Sequence, residues 1–322
     1  MRREGSPWQG LGTVMLKELA DHFDSVRVLL LGLLMVLAAA VPLYGTIDEV
    51  RKTTAEDPFL LLKLFSPGGE VDTLSVVAIL GFVVPIIAIG LGFDSINGEH
   101  NRRTLSRIMA QPIYRDALLA GKFFAGLTVL AVNLMCLFLL VVGLGVLLLG
   151  VPPSGEEFTR SLVFLVVAIA YGAAWLALAM LFSVLFRSPA TAALMALGIW
   201  LLMALLWPMI SPYVAQLIAP PDVRYLLLGI MDPQTQVWQD ALMRISPYWL
   251  FEEAARTILT PTKSLGPLLD QLRALRGEVV GTALPLQESL QLVWVQIVGL
   301  IAGTIVLFVA TYVAFQRQEV RA

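Results

Sequence analysis

Six apolar runs divide the chain, and each is long enough to form a helix that crosses a lipid bilayer. Such a helix needs about 17–25 consecutive apolar residues. Only 14% of all residues are charged, against about 25% in a typical soluble domain, and within the runs only Asp94 is charged. We therefore predict an all-α polytopic membrane protein with six transmembrane helices. The runs are 28–45, 74–96, 123–150, 161–186, 190–210 and 291–315.

The segment before the first run, residues 1–27, is predicted to be an amphipathic helix that lies on the cytoplasmic membrane surface. A cleaved signal peptide begins with a short basic stretch, whereas this segment has helical periodicity with charged residues between its apolar positions. We therefore expect the first run to be a retained span, and residues 28–322 to form the transmembrane domain. The periodic apolar residues are Trp8, Leu11, Met15, Leu19 and Phe23.

The charge distribution predicts a cell-membrane protein with both termini in the cytoplasm. With six spans, the cytoplasmic segments would hold 12 Lys and Arg in 63 residues, and the external segments 10 in 118. Cytoplasmic segments of membrane proteins are enriched in these residues. The short segment 97–122 carries most of this signal, because long loops follow the rule poorly.

The external region 211–290 is predicted to contain short helices before the last span. Asp232-Pro233 and Ser246-Pro247 each resemble an N-cap followed by proline at the first helical position. The stretch SPYWLFEEAARTILTP, which begins at Ser246, then alternates apolar and charged residues with a helical period. Such helices favour packing at the membrane surface over catalysis, because the region shows no nucleophile–base or metal-ligand pattern.

The basic segment 97–122 is predicted to present a short amphipathic helix, residues 99–110, to the cytoplasm. Three apolar residues would line one face and three arginines the rest. Gln111-Pro112 would end the helix, because the residue before proline avoids the α conformation. One hypothesis is that the arginines only fix orientation and reach anionic lipid. The apolar residues are Leu105, Ile108 and Met109, and the arginines are Arg102, Arg103 and Arg107.

The order of residues in this segment favours a second hypothesis. FDSINGEHNRRTLSRIMAQPIYRDALLAGKFFAG resembles the cytoplasmic signature of the ABC type-2 permease family, through Glu99, Thr104-Leu105, Pro112–Arg115 and Gly121-Lys122. Residues 183–200 resemble the family's tight turn between the fourth and fifth spans, and ISPYWLFEEAARTIL resembles its external helix. The pair Arg102-Arg103 departs from the pattern, since relatives often have glycine there.

The resemblance implies the permease subunit of an ABC transporter, with export as its expected direction. It implies a separate ATPase that carries ATP and Mg²⁺, a second permease copy (identical or different), and no cofactor or nucleic acid on this chain. The family's cargoes include lipids, peptides and drug-like molecules, and its members in nitrous-oxide-reductase maturation share this layout. The residues expected to couple to the ATPase are Glu99, Arg102, Arg103, Thr104, Leu105, Ile108, Met109 and Arg115.

The chain itself shows no motif for nucleotide or metal binding. Gly121-Lys122 is not a phosphate-binding loop, because Phe123 replaces the Ser or Thr that binds Mg²⁺ and Asp116 replaces the first glycine. The single cysteine, Cys136, and the two distant histidines give no metal-ligand pattern. We therefore predict no catalytic, cofactor or metal site.

Three other functions stay open at this point. A secondary transporter normally places an ionisable group near the bilayer midplane, whereas Asp94 lies at the cytoplasmic end of its run, where Arg102 or Arg103 is its expected partner. An intramembrane enzyme needs a nucleophile with a base, or facing metal ligands, which the runs do not show. A passive scaffold makes no demand on residues.

Overall fold

The structure, a computed structural model, describes residues 10–52, 59–65, 75–104, 114–150, 152–227, 231–260 and 284–317. Every regular element in these ranges is a helix. In chain order they are α1 Leu11–Phe23, α2 Val26–Lys52, α3 Leu60–Phe65, α4 Val76–Gly92, α5 Asn97–Asn101, α6 Arg115–Leu149, α7 Gly155–Leu185, α8 Pro189–Leu201, a π-helical turn Leu202–Leu206, α9 Trp207–Ile218, α10 Val223–Leu227, α11 Pro233–Met243, α12 Pro247–Leu259 and α13 Leu286–Arg317.

Six helical stretches of the described chain are long and apolar enough to span a membrane, which confirms the predicted all-α, six-span fold. Several are longer than the apolar runs, because charged residues continue the helices beyond them. The third stretch begins at Arg115 and the fourth at Gly155. The six are Val26–Thr46, Val76–Asn101, Arg115–Leu148, Gly155–Leu185, Pro189–Ile218 and Leu286–Arg317.

The fourth span, α7, lies at the centre of the bundle and contacts α4, α6, α8, α12 and α13. Its close approach to two neighbours depends on Gly172, where an added Cβ would lie 2.3 Å from Leu130 on α6 and 3.0 Å from Val84 on α4. The ring of Tyr171 stacks on Phe251 of α12 at 4.6 Å. The core of the spans therefore continues into α12, which precedes the last span.

The fifth span contains a π-helical turn, Leu202–Leu206, directly before Pro208. In this turn the Trp207 N–H bonds to the Leu202 carbonyl, five residues back. The Met203 carbonyl would need the N–H of residue 208, which proline lacks. The Ser246 hydroxyl donates to that carbonyl at 2.8 Å, so the start of α12 completes the backbone hydrogen bonding of the fifth span.

The described part of region 211–290 contains short helices, as predicted, whereas residues 261–283 lie outside the described residues. Asp232 caps α11 as predicted, since its carboxylate accepts the Gln234 N–H at 2.8 Å. Ser246 precedes Pro247 at the start of α12 but makes no capping bond with its side chain. Ser246 therefore takes the predicted N-cap position before Pro247, while its hydroxyl donates to the Met203 carbonyl of the fifth span.

Replacing Ser246 with alanine is expected to destabilise the protein by about 1–3 kcal/mol, the usual cost of a buried acceptor without a partner. The Met203 carbonyl loses its donor, while the apolar contacts of α12 are retained. The thermal midpoint of the purified chain measures the effect. Thr257→Ala is the matched control, because its hydroxyl bonds only to the Glu253 carbonyl of its own helix, and an equal loss in the control would contradict the assignment.

The N-terminal end of α7, on the side predicted to be external, holds a fully buried arginine, Arg160. Its guanidinium pairs with Glu156 at 2.8 Å and donates to the Ser289 hydroxyl at 3.0 Å and to the Ile258 carbonyl at 3.2 Å. It also donates to the carbonyl of Leu284. Arg160 therefore joins α7 to the end of α12 and to the start of α13.

The first turn of α7 also binds the short helix α3. Ser154 and Glu157 form a capping box, in which each side chain bonds to the other residue's backbone N–H. The Glu157 carboxylate additionally accepts the Leu61 N–H of α3 at 2.8 Å. At this end of the bundle, residues 154–160 at the start of α7 thus connect α7 with α3, α12 and α13.

Candidate coupling site at the cytoplasmic end

The end of the bundle that the sequence predicts to be cytoplasmic is organised around the buried ammonium group of Lys122, in the second turn of α6. The Lys122 Nζ lies 2.7 Å from Glu99 Oε1 on α5 and 2.9 Å from Glu18 Oε1 on α1. The lysine side chain is 4% exposed, and the two glutamates are 14% and 13% exposed. Two signature residues that lie 23 positions apart, Glu99 and Lys122, are therefore direct partners.

The neighbouring Gly121 explains why α1 can approach α6 at this point. A Cβ added to Gly121 would lie 2.7 Å from a methyl carbon of Val14 and 3.4 Å from the Leu11 carbonyl, both on α1. The glycine thus allows the two helices to touch, and this contact brings the Lys122 ammonium group to Glu18. The pair Gly121-Lys122 works here as a packing and ion-pair element.

The start of the cytoplasmic segment is held against the fourth span and the turn that follows it. The Ser183 hydroxyl accepts the N–H groups of Ile96 at 2.9 Å and Asn97 at 3.2 Å. The side-chain amides of Asn97 and Asn101 donate to the carbonyls of Phe186 and Arg187, at 3.2 and 3.1 Å. Helix α5 is therefore fastened to the end of α7.

The predicted continuous helix over 99–110 is wrong in its first turns. Helix α5 ends at Asn101, and Arg103 adopts a left-handed backbone conformation with φ of 57°. The Thr104 N–H and hydroxyl then return to the Glu99 carbonyl at 3.0 and 3.2 Å. Glycine adopts positive φ without steric cost, so Arg103 holds a conformation that glycine would adopt more readily.

The structure places the predicted coupling residues in different surroundings. Glu99 is tied to Lys122, and Thr104 closes the turn, while Arg102 and Arg103 are exposed. Arg115 contacts the end of the last span. The apolar residues of the predicted helix lie outside the described residues; they are Leu105, Ile108 and Met109.

Two of the ion-pair partners at this end were not found from the sequence. Asp94 pairs with Arg27 at 2.9 Å and not with Arg102 or Arg103, because the start of α2 lies beside the end of α4. Glu18 was treated only as part of the polar face of α1. No local spacing marks either contact, since each joins residues far apart in sequence.

The charged groups around Lys122 and Arg27 line an open cavity of about 680 Å³ between α1, α4, α5, α6, α7 and the start of α2. Burial alone would raise the pKa of the Glu18 carboxyl, but the ammonium groups of Lys122 and Lys17 lower it below its ordinary value of 4.5. Burial lowers the pKa of the His22 imidazole below 6.5, and the positive charges of Arg27 and Lys122 add to this shift. Both residues belong to α1.

These shifts predict that acid weakens the attachment of α1. Below pH 6.5 the unfolded chain protonates His22 more readily than the folded chain does, so the stability falls as the pH decreases. Glu18 adds a further loss below its ordinary pKa of 4.5. The thermal midpoint, measured from pH 7.5 to 5, should decrease in the parent chain and decrease less in His22→Gln. The exposed His100 supplies the control, and a His100→Gln variant that removes the same dependence would contradict this assignment.

The described residues of the site form ion pairs and polar contacts, and they do not form a catalytic arrangement. Among the residues that the structure describes, no group of three or more His, Cys, Asp and Glu side chains could hold a metal ion. The buried charges are already neutralised by partners on other helices. The arrangement is therefore suited to fixing helices relative to one another.

Comparison with known proteins places the whole chain in one family. The family model described as "ABC-2 family transporter protein" matches residues 13–320, from α1 to beyond the end of α13. The chain belongs to the ABC-2 transporter family. This multi-pass membrane protein thus shares its family with ABC transporter permeases, and the matched range includes α5, Lys122 and both ends of the cytoplasmic segment.

Two curated relatives agree with this assignment. The chain is 29% identical over 202 residues to the "Probable ABC transporter permease protein NosY" of Stutzerimonas stutzeri, covering 60% of this chain and 66% of that protein. It is 26% identical over 202 residues to the protein of the same name from Pseudomonas aeruginosa, covering 61% and 67%. The matches thus span about two thirds of each relative's length.

Proposed function

We propose that this ABC-2 family chain is the permease subunit of an ABC exporter, and that a separate ATPase drives it through the cytoplasmic segment 99–110. ATP and Mg²⁺ bind to the partner, and two permease chains, identical or different, form the pathway. The buried contact of Lys122 with Glu18 and Glu99 carries the proposal. It links the start of the segment to α1 and to the third span, so that movement of the segment reaches both.

The contact goes beyond what the orientation-only hypothesis requires. A loop that only fixes topology needs positive charge at the membrane surface, and the exposed Arg102 and Arg103 could supply it. The charge of Lys122 is instead enclosed between two carboxylates. Burying an ion pair is costly unless its geometry is good, and a role in coupling gives this buried contact a function that topology alone does not.

The ionisable groups of the spans support an external energy source. Within the described spans, Lys122 lies in the second turn of α6 and Arg160 in the second turn of α7. Both are paired and near helix ends, and Asp94 pairs with Arg27 beyond the end of α4. A secondary transporter couples through an ionisable group at membrane depth, and these three groups do not supply one.

The experiment that tests the proposal is purification of the tagged full-length chain from its native membranes with its associated proteins. The expected result is an ABC ATPase in stoichiometric amount, with ATP hydrolysis by the complex and none by the chain alone. Native mass spectrometry of the complex should show two permease chains. A chain that purifies without any ATPase from gently solubilised membranes would favour the scaffold or the secondary transporter.

The proposed orientation predicts which residues are reached from each side of the membrane. In a Cys136→Ser background, Gln236→Cys on α11 should react with an impermeant maleimide added to intact cells. Arg102→Cys should react only after the membrane is opened, because it follows α5 on the cytoplasmic side. Both side chains are exposed, so labelling depends only on which side of the membrane the reagent can reach. The reverse labelling pattern would contradict the orientation.

A further inference from the structure

The first residues of α6, which follow the cytoplasmic segment 99–110, contact the C-terminal end of the last span. Arg115 Nη1 donates to the carbonyl oxygens of Phe315 and Gln316, at 3.4 and 3.3 Å. The guanidinium carbon also lies 5.8 Å from the centre of the Phe315 ring. Beside it, Gln316 Nε2 donates to Asp116 Oδ1 at 2.8 Å. We name these four residues the C-terminal clamp.

Helix physics explains why an arginine is used here. The last four carbonyls of an α-helix have no partner within the helix, and the C-terminal end carries partial negative charge that attracts a cation. Arg115 supplies several N–H donors in a fixed plane. Phe315 is 1% exposed, so the end of α13 that receives these donors is fixed by packing.

The clamp is supported by a second contact deeper in the bundle. The ring of Phe123 on α6 lies 5.1 Å from that of Phe308 on α13, tilted by 56°. Aromatic pairs at this separation and tilt stabilise a contact beyond the area they bury. The start of α6 and the end of α13 are thus joined by polar contacts at the surface and by an apolar contact below it.

The opposite end of α13 reaches the external cluster. Ser289, in its first turn, accepts the hydrogen bond from Arg160, and α12 packs along the helix. A helix of 32 residues is about 48 Å long at 1.5 Å per residue. Residues 286–317 therefore form one continuous element from the cytoplasmic segment to the external helices.

We propose that Arg115 is a positioning residue. It ties the start of α6, which follows the cytoplasmic segment 99–110, to α13. Displacement of the segment by the ATPase would then move the last span. This rests on the proposed function. The segment then acts on two sides of the bundle. Its start moves α1 and the third span through Glu99 and Lys122, and its end moves α13 through the C-terminal clamp.

The test separates binding of the ATPase from transmission of movement. It uses the complex of the full chain with the ATPase that purifies with it, in the Cys136→Ser background. Arg115→Met removes the donors and the charge. The dissociation constant should stay within error of the parent's, while ATP turnover by the complex should fall about tenfold, inside the usual range of coupling energies. Arg115→Lys, which keeps the charge and one donor group, should recover part of the rate.

A covalent replacement of the clamp supplies the decisive control. Asp116→Cys and Gln316→Cys are added to Arg115→Met and joined by a short reducible bis-thiosulfonate linker. The linker should restore ATP turnover, and reduction should remove it again. Full turnover by Arg115→Met, a weakened dissociation constant in that variant, or no recovery by the linked chain would each overturn the proposal. A parent chain that binds no ATPase would instead overturn the proposed function, and the clamp's role with it.

Discussion

Replacing Lys122 with methionine should lower the free energy of unfolding by about 3–5 kcal/mol, the usual cost of removing one partner of a buried ion pair. The loss arises because Glu18 and Glu99 remain together, nearly buried, without their shared cation. Thermal unfolding of the purified chain measures the loss. Amide hydrogen exchange should be fastest in α1 and α5, which are the helices that carry the two glutamates.

A matched variant separates charge from packing in this prediction. The triple variant Lys122→Met, Glu18→Gln and Glu99→Gln removes the cation together with both negative charges. Most of the stability should return, because buried neutral side chains avoid the cost of an unpaired charge. A single Lys122→Met variant that unfolds at the parent's temperature would show that the pair adds nothing to the fold.

The second large effect is expected at the opposite end of the bundle. Arg160→Met should also lower the free energy of unfolding by several kcal/mol, since each buried acceptor left without a donor costs about 1–3 kcal/mol. The acceptors are the carbonyls of Ile258 and Leu284 and the hydroxyl of Ser289. Glu156 is 44% exposed and can be solvated, so it adds little to the loss.

The control for Arg160 is Arg256→Met on the neighbouring helix α12. Arg256 forms an ion pair with Glu252 four residues earlier, and its side chain is 68% exposed. Exposed pairs of this kind contribute less than about 1 kcal/mol. Hydrogen exchange in the last turn of α12 and the first turn of α13 should rise in Arg160→Met only. An equal rise in both variants would mean that Arg160 does not hold these ends together.

The number and type of spans could be predicted because bilayer thickness fixes the length of an apolar run. The helix boundaries could not, since they depend on polar partners supplied by distant segments. Arg160 looks like an external loop residue in the sequence, yet it is buried in α7 because acceptors from α12 and α13 surround it. The hydrophobicity of the sequence locates the part of each helix inside the membrane core. It does not show where paired charged residues extend the helix beyond that core.

In the candidate site, too, the sequence indicated individual residues but not the contacts between them. Family resemblance selected Glu99 and the Gly121-Lys122 pair, but it did not indicate that Glu99 and Lys122 bind each other. The helix predicted over 99–110 failed at Arg103, because apolar periodicity does not detect a residue with positive φ. Pairings such as Asp94 with Arg27 follow from how the helices meet, which no single segment encodes.

The π-helical turn at Leu202–Leu206 has a consequence for the shape of the fifth span. An α-helix advances by about 100° per residue, so one extra residue within a turn rotates everything after it by nearly a third of a revolution. Trp207 and Ser211 reach the Leu242 carbonyl and the Met243 sulfur of α11 in this rotated position. The side of the fifth span that faces α11 is therefore set by the count of residues before Pro208, and a one-residue deletion there would turn that side away.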